Sequence, residues 1–366
     1  MFTSWIGYTA FSVLTLLLAA APGRVADDLD LGQWVRPAPA SARFIDPDWY
    51  VWCGAPLRTP DGKCHLYFSR WPRKLGHNAW VTRSEVAYAV ADAATGPYRF
   101  VNVAMPARGP GFWDGDCTHN PNVIRTGGRF LLYYMGNHGD GTYAVNRNNQ
   151  RIGVAIADKP EGPWTRFDRP VVDVSADKSA FDSLCVTNPA AAVRPGGGIL
   201  LIYKAVEVVE GKVMGGRVRY GAAVAGRPEG PYVKTPGRIF EAAGDEAGKT
   251  WMLAEDPYVW YSARFGNCYY AVARDVVGRF TGEAGGIALF RSADGLAWEP
   301  AAHPKVLGAQ FAWADGTRSG TKLERPALLI EDDVPVALFG AVDVNTPGPR
   351  SHAFNVQIPL KAPSAR

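Results

Sequence analysis

Apolar and polar residues alternate in short runs along most of the chain after about residue 45. Gly, Pro, Asn and Asp punctuate these runs, which predicts short β-strands joined by tight turns. One pattern recurs five times: CGAPLRTPDGKCHLYFSR, HNPNVIRTGGRFLLYYMG, TNPAAAVRPGGGILLIYKA, EDPYVWYSARFGNCYYAVARD and ERPALLIEDDVPVALFGAV. Each copy holds a strand, a turn and a returning strand. The marker prolines, Pro56, Pro121, Pro189, Pro257 and Pro326, stand 65, 68, 68 and 69 residues apart. A second pattern falls between them, as EVAYAVADAATGPY, IGVAIADKPEGPW, YGAAVAGRPEGPY and GIALFRSADGLAW. Its turn glycines, Gly96, Gly162, Gly230 and Gly295, are 66, 68 and 65 residues apart. Two landmarks sharing one period describe a four-stranded unit of about 68 residues.

A single four-stranded sheet cannot bury both of its faces, so neighbouring units must cover it. Five such sheets packed radially make an all-β, five-bladed β-propeller; an open solenoid of the same repeats is the alternative. The fifth unit runs out of chain after residue 360. Residues 32–44 are therefore expected to supply its last strand and close the ring. No composition break divides residues 27–366, which read as one propeller domain.

Composition sharpens this picture. Forty Gly, 28 Pro and 12 Trp suit many turns and aromatic surfaces, and they argue against a helical bundle. A net charge of +4 without a run of Lys or Arg argues against a nucleic-acid-binding stripe. The five cysteines are scattered singly, which argues against a zinc knuckle. Cys53, Cys117 and Cys185 lie three, four and four residues before their prolines. They are expected as buried thiols of the funnel or, for one pair, as a disulfide. At the N-terminus, residues 10–21 form an apolar core and Arg24-Val25-Ala26 a small-residue cleavage site. Residues 1–26 thus read as a signal peptide, or as an N-terminal anchor. The mature chain is expected to be exported, periplasmic or extracellular, without membrane insertion.

In a propeller, the start of each innermost strand and the end of the next strand meet around the axis on one face. The dipeptides before the prolines are Gly54-Ala55, His119-Asn120, Thr187-Asn188, Glu255-Asp256 and Glu324-Arg325. The ends of the second strands carry Arg70-Trp71, Asn137-His138, Lys204, Arg274-Asp275 and Asp343. So many carboxylates among cations on one ring would displace one another's pKa values, as acid–base chemistry requires. Asp114 and Asp182, seven residues before their prolines, and Asp48, eight before its own, mark a further register. These aspartates fit turn caps, yet Asp48 also stands among Trp49, Tyr50, Trp52 and Trp71, whose rings suit a sugar.

These blade starts (HNPNVI, TNPAAAV, EDPYVW, ERPALL) and blade ends (IADKPEGPW, VADAATGPY) resemble those of the five-bladed β-propeller glycoside hydrolases. The likeness is to the family 43 group and its cousins in families 32, 62 and 117, and it extends over residues 45–360. It implies a glycosidase acting on an oligo- or polysaccharide through paired carboxylates. Exo action and inversion are expected, with the inserts 139–150 and 206–217 walling the funnel. A non-catalytic sugar-binding propeller and a glycoside phosphorylase are the alternatives. In the family a first-blade acid is the base and a later Glu the acid; here the first blade lacks Asp before Pro56, and the third lacks Glu. The catalytic candidates are therefore Glu255, Asp256, Glu324 and Asp48. His119, Asn120, Asn188, Lys204, Arg70, Trp52, Trp71, Asp114 and Arg325 are the expected substrate-binding residues. No cofactor is required by any motif, though the resemblance allows an axial calcium.

Overall fold

The computed structural model describes Met1 and residues 29–241, 250–319, 322–344 and 352–363. The expected signal peptide or anchor, residues 1–26, lies outside these residues apart from Met1. No helix among them is long and apolar enough to cross a membrane.

Five four-stranded antiparallel sheets surround one axis. A short strand, β1 (Arg43–Phe44), precedes the first blade, which joins β2 (Trp49–Arg58), β3 (Cys64–Pro72), β4 (Glu85–Ala91) and β5 (Arg99–Met105). The second blade holds β6 (Cys117–Thr126), β7 (Arg129–Asn137), β8 (Arg151–Ala157) and β9 (Thr165–Arg166). The third comprises β10 (Cys185–Val193), β11 (Ile199–Val206), β12 (Val218–Ala225) and β13 (Val233–Lys234). The fourth contains β14 (Ala254–Ser262), β15 (Cys268–Asp275), β16 (Gly286–Ser292) and β17 (Glu299–Leu307). The fifth runs β18 (Leu323–Glu331), β19 (Val334–Val344) and β20 (His352–Pro359), and is completed by β1. The innermost strands touch in the cyclic order β2, β6, β10, β14, β18 and back to β2.

Each inner strand is extended and apolar because both of its faces are covered. One apolar cluster fills each of the five seams between neighbouring sheets. The turn glycines Gly96, Gly162, Gly230 and Gly295 have φ of 77°, 97°, 93° and 80°, a backbone region that L side chains rarely enter. That explains why they keep the period.

The first-blade register differs from the one read off the prolines. Every inner strand carries a bulge, and the residue at φ near +55° within it is Cys53, Asn120, Asn188, Asp256 or Arg325. These positions are 67, 68, 68 and 69 apart. Gly54, not Pro56, is therefore the counterpart of Pro121. Cys53 aligns with Asn120, so its match to Cys117 and Cys185 does not hold. All five cysteines are buried, free thiols, and no disulfide forms.

Ring closure follows the expectation. Arg43 and Phe44 pair with Val356 and Asn355 of β20. Phe44 then reaches across the seam to meet Phe68 of the first blade edge-on, at 4.9 Å between centroids. Upstream, Leu31 and Trp34 pack into the seam between blades four and five. Phe44→Ala removes a buried ring that clamps two blades, and the expected loss is about 3–5 kcal/mol of stability. Urea denaturation would measure it, and a loss below about 1 kcal/mol would show that the seam closes without this ring.

Candidate active site

The bulges place one side chain per blade at the axis, and these side chains bond to one another. Cys53 Sγ lies 3.2 Å from Asn120 Oδ1, and Asn120 Nδ2 donates to Asn188 Oδ1 at 2.5 Å. Asn188 Nδ2 donates to Asp256 Oδ1, which also accepts from Arg325 Nη1 at 2.9 Å. All five are buried. Asn and Asp tolerate the left-handed backbone through their short polar side chains, whereas Cys53 and Arg325 hold it at a cost of about 1–3 kcal/mol each.

This belt floors a funnel of about 280 Å³. Its floor and walls include Asn120, Asn188, Glu255, Asp256, Glu324 and Arg325, together with His119 and Lys204. Three carboxylates therefore share the cavity in three different settings. Glu255 Oε1 accepts from Lys204 Nζ at 2.8 Å, and its Oε2 accepts from Arg274 Nη1 at 2.9 Å. Burial, then the neighbouring Glu255 charge, raises the Glu324 pKa above the usual carboxylate range, although Lys322 pairs with it. Burial acts the same way on Asp256, but Arg325, Lys204 and the bond from Asn188 outweigh it and hold that pKa low. Lys204 is pushed down by burial, yet Glu255 and Asp256 bring it above its ordinary value.

The opposite wall is aromatic. His119 Nδ1 sits 2.7 Å from Ser84 Oγ, and its ring lies 5.1 Å from Trp80. Burial, with Arg325 and His77 nearby, holds its pKa well below the ordinary value, so the imidazole is neutral and suited to hydrogen bonding. Trp52 borders the funnel, and so does Trp71. Trp71 is only 1% exposed and stacks on Tyr50 at 5.2 Å, which leaves little face for a sugar ring. Trp80 and the 56% exposed Trp251 offer more.

Three expected residues lie elsewhere. Asp48 is exposed outside the funnel, with its backbone N–H bonded to Asp46 Oδ1 at 2.9 Å in an Asx turn. Arg70 pairs with Glu85 at 2.9 Å and lies between the rings of Trp49 and Phe100. Asp114 is fully buried, bound by Arg108 at 2.6 Å, Tyr134 at 2.9 Å and Arg166 at 3.3 Å. Asp182 repeats this arrangement with Tyr203 and Lys234. Both aspartates are internal counter-ions of their blades.

Sequence reasoning missed Trp80, His77, Arg147 and Trp251. They stand in connections that have no counterpart in the other repeats, so no register singled them out. The insert 139–150 includes α1 (Tyr143–Asn148) and contributes Tyr143, Arg147 and Gln150 to the wall. The insert 206–217 contributes Val206 and Met214. Arg147 Nη1 donates to the carbonyl of Met214 at 3.0 Å, and Asn148 Nδ2 to that of Val213 at 2.7 Å, which staples the two walls together.

An axial calcium does not fit these residues. The belt offers one carboxylate, already bonded to the Arg325 guanidinium, whereas calcium takes six to eight oxygen ligands. Among the described residues no group of three or more His, Cys, Asp or Glu is arranged to hold a metal ion.

No family model matches the chain, and no curated protein does. Solved structures do. A family 117 glycoside hydrolase of the marine bacterium Zobellia galactanivorans superposes with TM-score 0.60 at 18% identity, covering 89% of each chain. Another structure, described only as a glycoside hydrolase, gives 0.65 at 14%, covering 91% of this chain and 94% of that one. A thermostable family 43 glycoside hydrolase gives 0.57 at 13%, with 90% and 96% covered. What they share with this chain is the fold.

Removing Arg325 tests the belt. Arg325→Met leaves Asp256 buried without its counter-ion, for an expected loss of about 3–5 kcal/mol. The double variant Asp256→Asn/Arg325→Met should recover part of it. Guanidinium denaturation of both would decide, and a single variant as stable as the parent would show that the belt does not depend on this pair.

Proposed function

We propose that the chain is a glycoside hydrolase that releases a terminal sugar at the axial funnel, with inversion. The observation that carries this reading is the pairing of oppositely tuned carboxylates, Glu324 and Asp256, in one aromatic-walled funnel. Environments that push two carboxylates apart assign acid and base. Glu324, raised, is the proton donor; Asp256, lowered, is the base. Glu324 gives its proton to the glycosidic oxygen as the bond to the anomeric carbon breaks. A water attacks that carbon from the other side, and Asp256 takes the proton it loses. Inversion asks the base to activate a water rather than to bond the sugar itself. Glu255, fixed between Lys204 and Arg274, raises the donor through its charge.

His119, Asn120 and Asn188 supply hydrogen bonds to hydroxyls, and Trp80 or Trp251 a stacking face. The stapled inserts close the funnel on one side, which supports exo action. The shared fold of family 117 and 43 enzymes agrees with the chemistry, and the apolar N-terminal segment supports an exported protein.

A screen of neutral and acidic oligosaccharides, with product analysis, would find the substrate. Glu324→Gln and Asp256→Asn are each expected to lower kcat at least about 10²-fold. Activity should persist to a pH above the ordinary carboxylate range, because the donor keeps its proton until its raised pKa is passed. The acid limb should lie low, since Asp256 loses its charge only below the usual range. Near-normal turnover by both variants would reject the assignment, and sugars bound without cleavage would make the chain a binding propeller.

A further inference from the structure

The cations of the funnel are not all compensated. Arg147, Lys204 and Arg325 line it, with Arg274 and Lys322 behind them, around the carboxylates Glu255, Asp256 and Glu324; Asp343 adds a further carboxylate near Lys322. Four of the cations are bonded to those carboxylates. The fifth, Arg147, has no carboxylate partner among the described residues. Its Nη1 bonds to Asn148 Oδ1 at 3.1 Å and to the Met214 carbonyl at 3.0 Å, both neutral acceptors, and both bonds use the same nitrogen. The Arg147 charge is also close enough to act against the Lys204 ammonium. Its neighbour Arg151, by contrast, is neutralised by Asp173.

A half-buried guanidinium that has no carboxylate partner on the wall of a cavity favours an anion beside it. The surroundings of Arg147 say what kind. Tyr143 on the same helix and Trp251 are exposed large rings of the funnel, which suits a sugar face rather than a bare inorganic ion. The planar guanidinium offers two-point bonding to a carboxylate or a sulfate.

We infer that the funnel takes an anionic sugar, a uronate or a sulfated residue, whose acid group is bound by Arg147. This rests on the reading of the funnel as a carbohydrate site, and it adds the substrate class. Arg147 is a specificity-determining residue that touches the substrate but takes no part in proton transfer.

Calorimetric titration separates this inference from the hydrolase assignment, because it needs no turnover. Galacturonate, glucuronate and galactose 6-sulfate are compared with galactose and glucose, and with inorganic phosphate. At least one acidic sugar should bind about tenfold or more tightly than its neutral parent, the size that one charge-assisted hydrogen bond carries. Arg147→Gln, which keeps a donor to the Met214 carbonyl, should abolish that preference. Arg147→Lys should retain part of it, so the comparison survives if one variant folds poorly. The inference is overturned if neutral and acidic sugars bind alike, if none binds, or if the preference persists in Arg147→Gln. Phosphate binding as tightly as the best acid would also overturn it, in favour of a phosphate site. Preferential acid binding without cleavage of any acidic glycoside would leave this inference standing while rejecting hydrolysis.

Discussion

Five extended strands cannot converge on an axis with all their side chains pointing away from it. Each must turn one residue inward, and that residue leaves its paired neighbours and enters a low-dielectric centre. The bulges at Cys53, Asn120, Asn188, Asp256 and Arg325 are the answer this chain uses. Their side chains satisfy one another in sequence around the ring, so the polar groups that convergence exposes are bonded within the floor itself. The one charged pair, Asp256 with Arg325, lies in the same belt, and breaking a buried pair is far more costly than never forming it. The site inherits its rigidity from this constraint.

The same constraint shapes the electrostatics above the floor. Asp256 is held ionised by the guanidinium and the amide that bind it into the belt. Glu324 sits one blade away, where burial and the charge of Glu255 outweigh its pairs with Lys322 and Arg274. Two chemically similar groups are thus driven in opposite directions by neighbours whose primary role is architectural.

Much of the fold was legible because it is periodic. Prolines and turn glycines carry a repeat that no other architecture explains economically, and the need for an added fifth-blade strand follows from counting. Legibility failed by two residues in the first blade, where Pro56, two positions after the true counterpart Gly54, mimics the marker. That slip aligned Cys53 with Cys117 and Cys185 in place of Asn120, and it brought Asp48 among the catalytic candidates. Glu255, Asp256 and Glu324 were found because they sit on the repeat. Trp80, Arg147 and Trp251 were not, because connections between strands follow no register and their proximity is a property of the folded chain alone. Asp114 and Asp182 show the reverse hazard: they keep the repeat for internal reasons, each anchoring a tyrosine and a cation within its blade.

The closing strand has a bearing on how the protein reaches its native state. Phe44 emerges from the ribosome before any blade exists, and its partner Asn355 is made last. The segment must wait, unpaired, through synthesis of the whole ring. Contacts this distant along the chain are slow to form, since a large loop has to be closed before they stabilise anything. Until then the outer edge of blade five stays open, a free strand edge able to pair with another chain. A chaperone that shields such an edge would act on this step more than on any other.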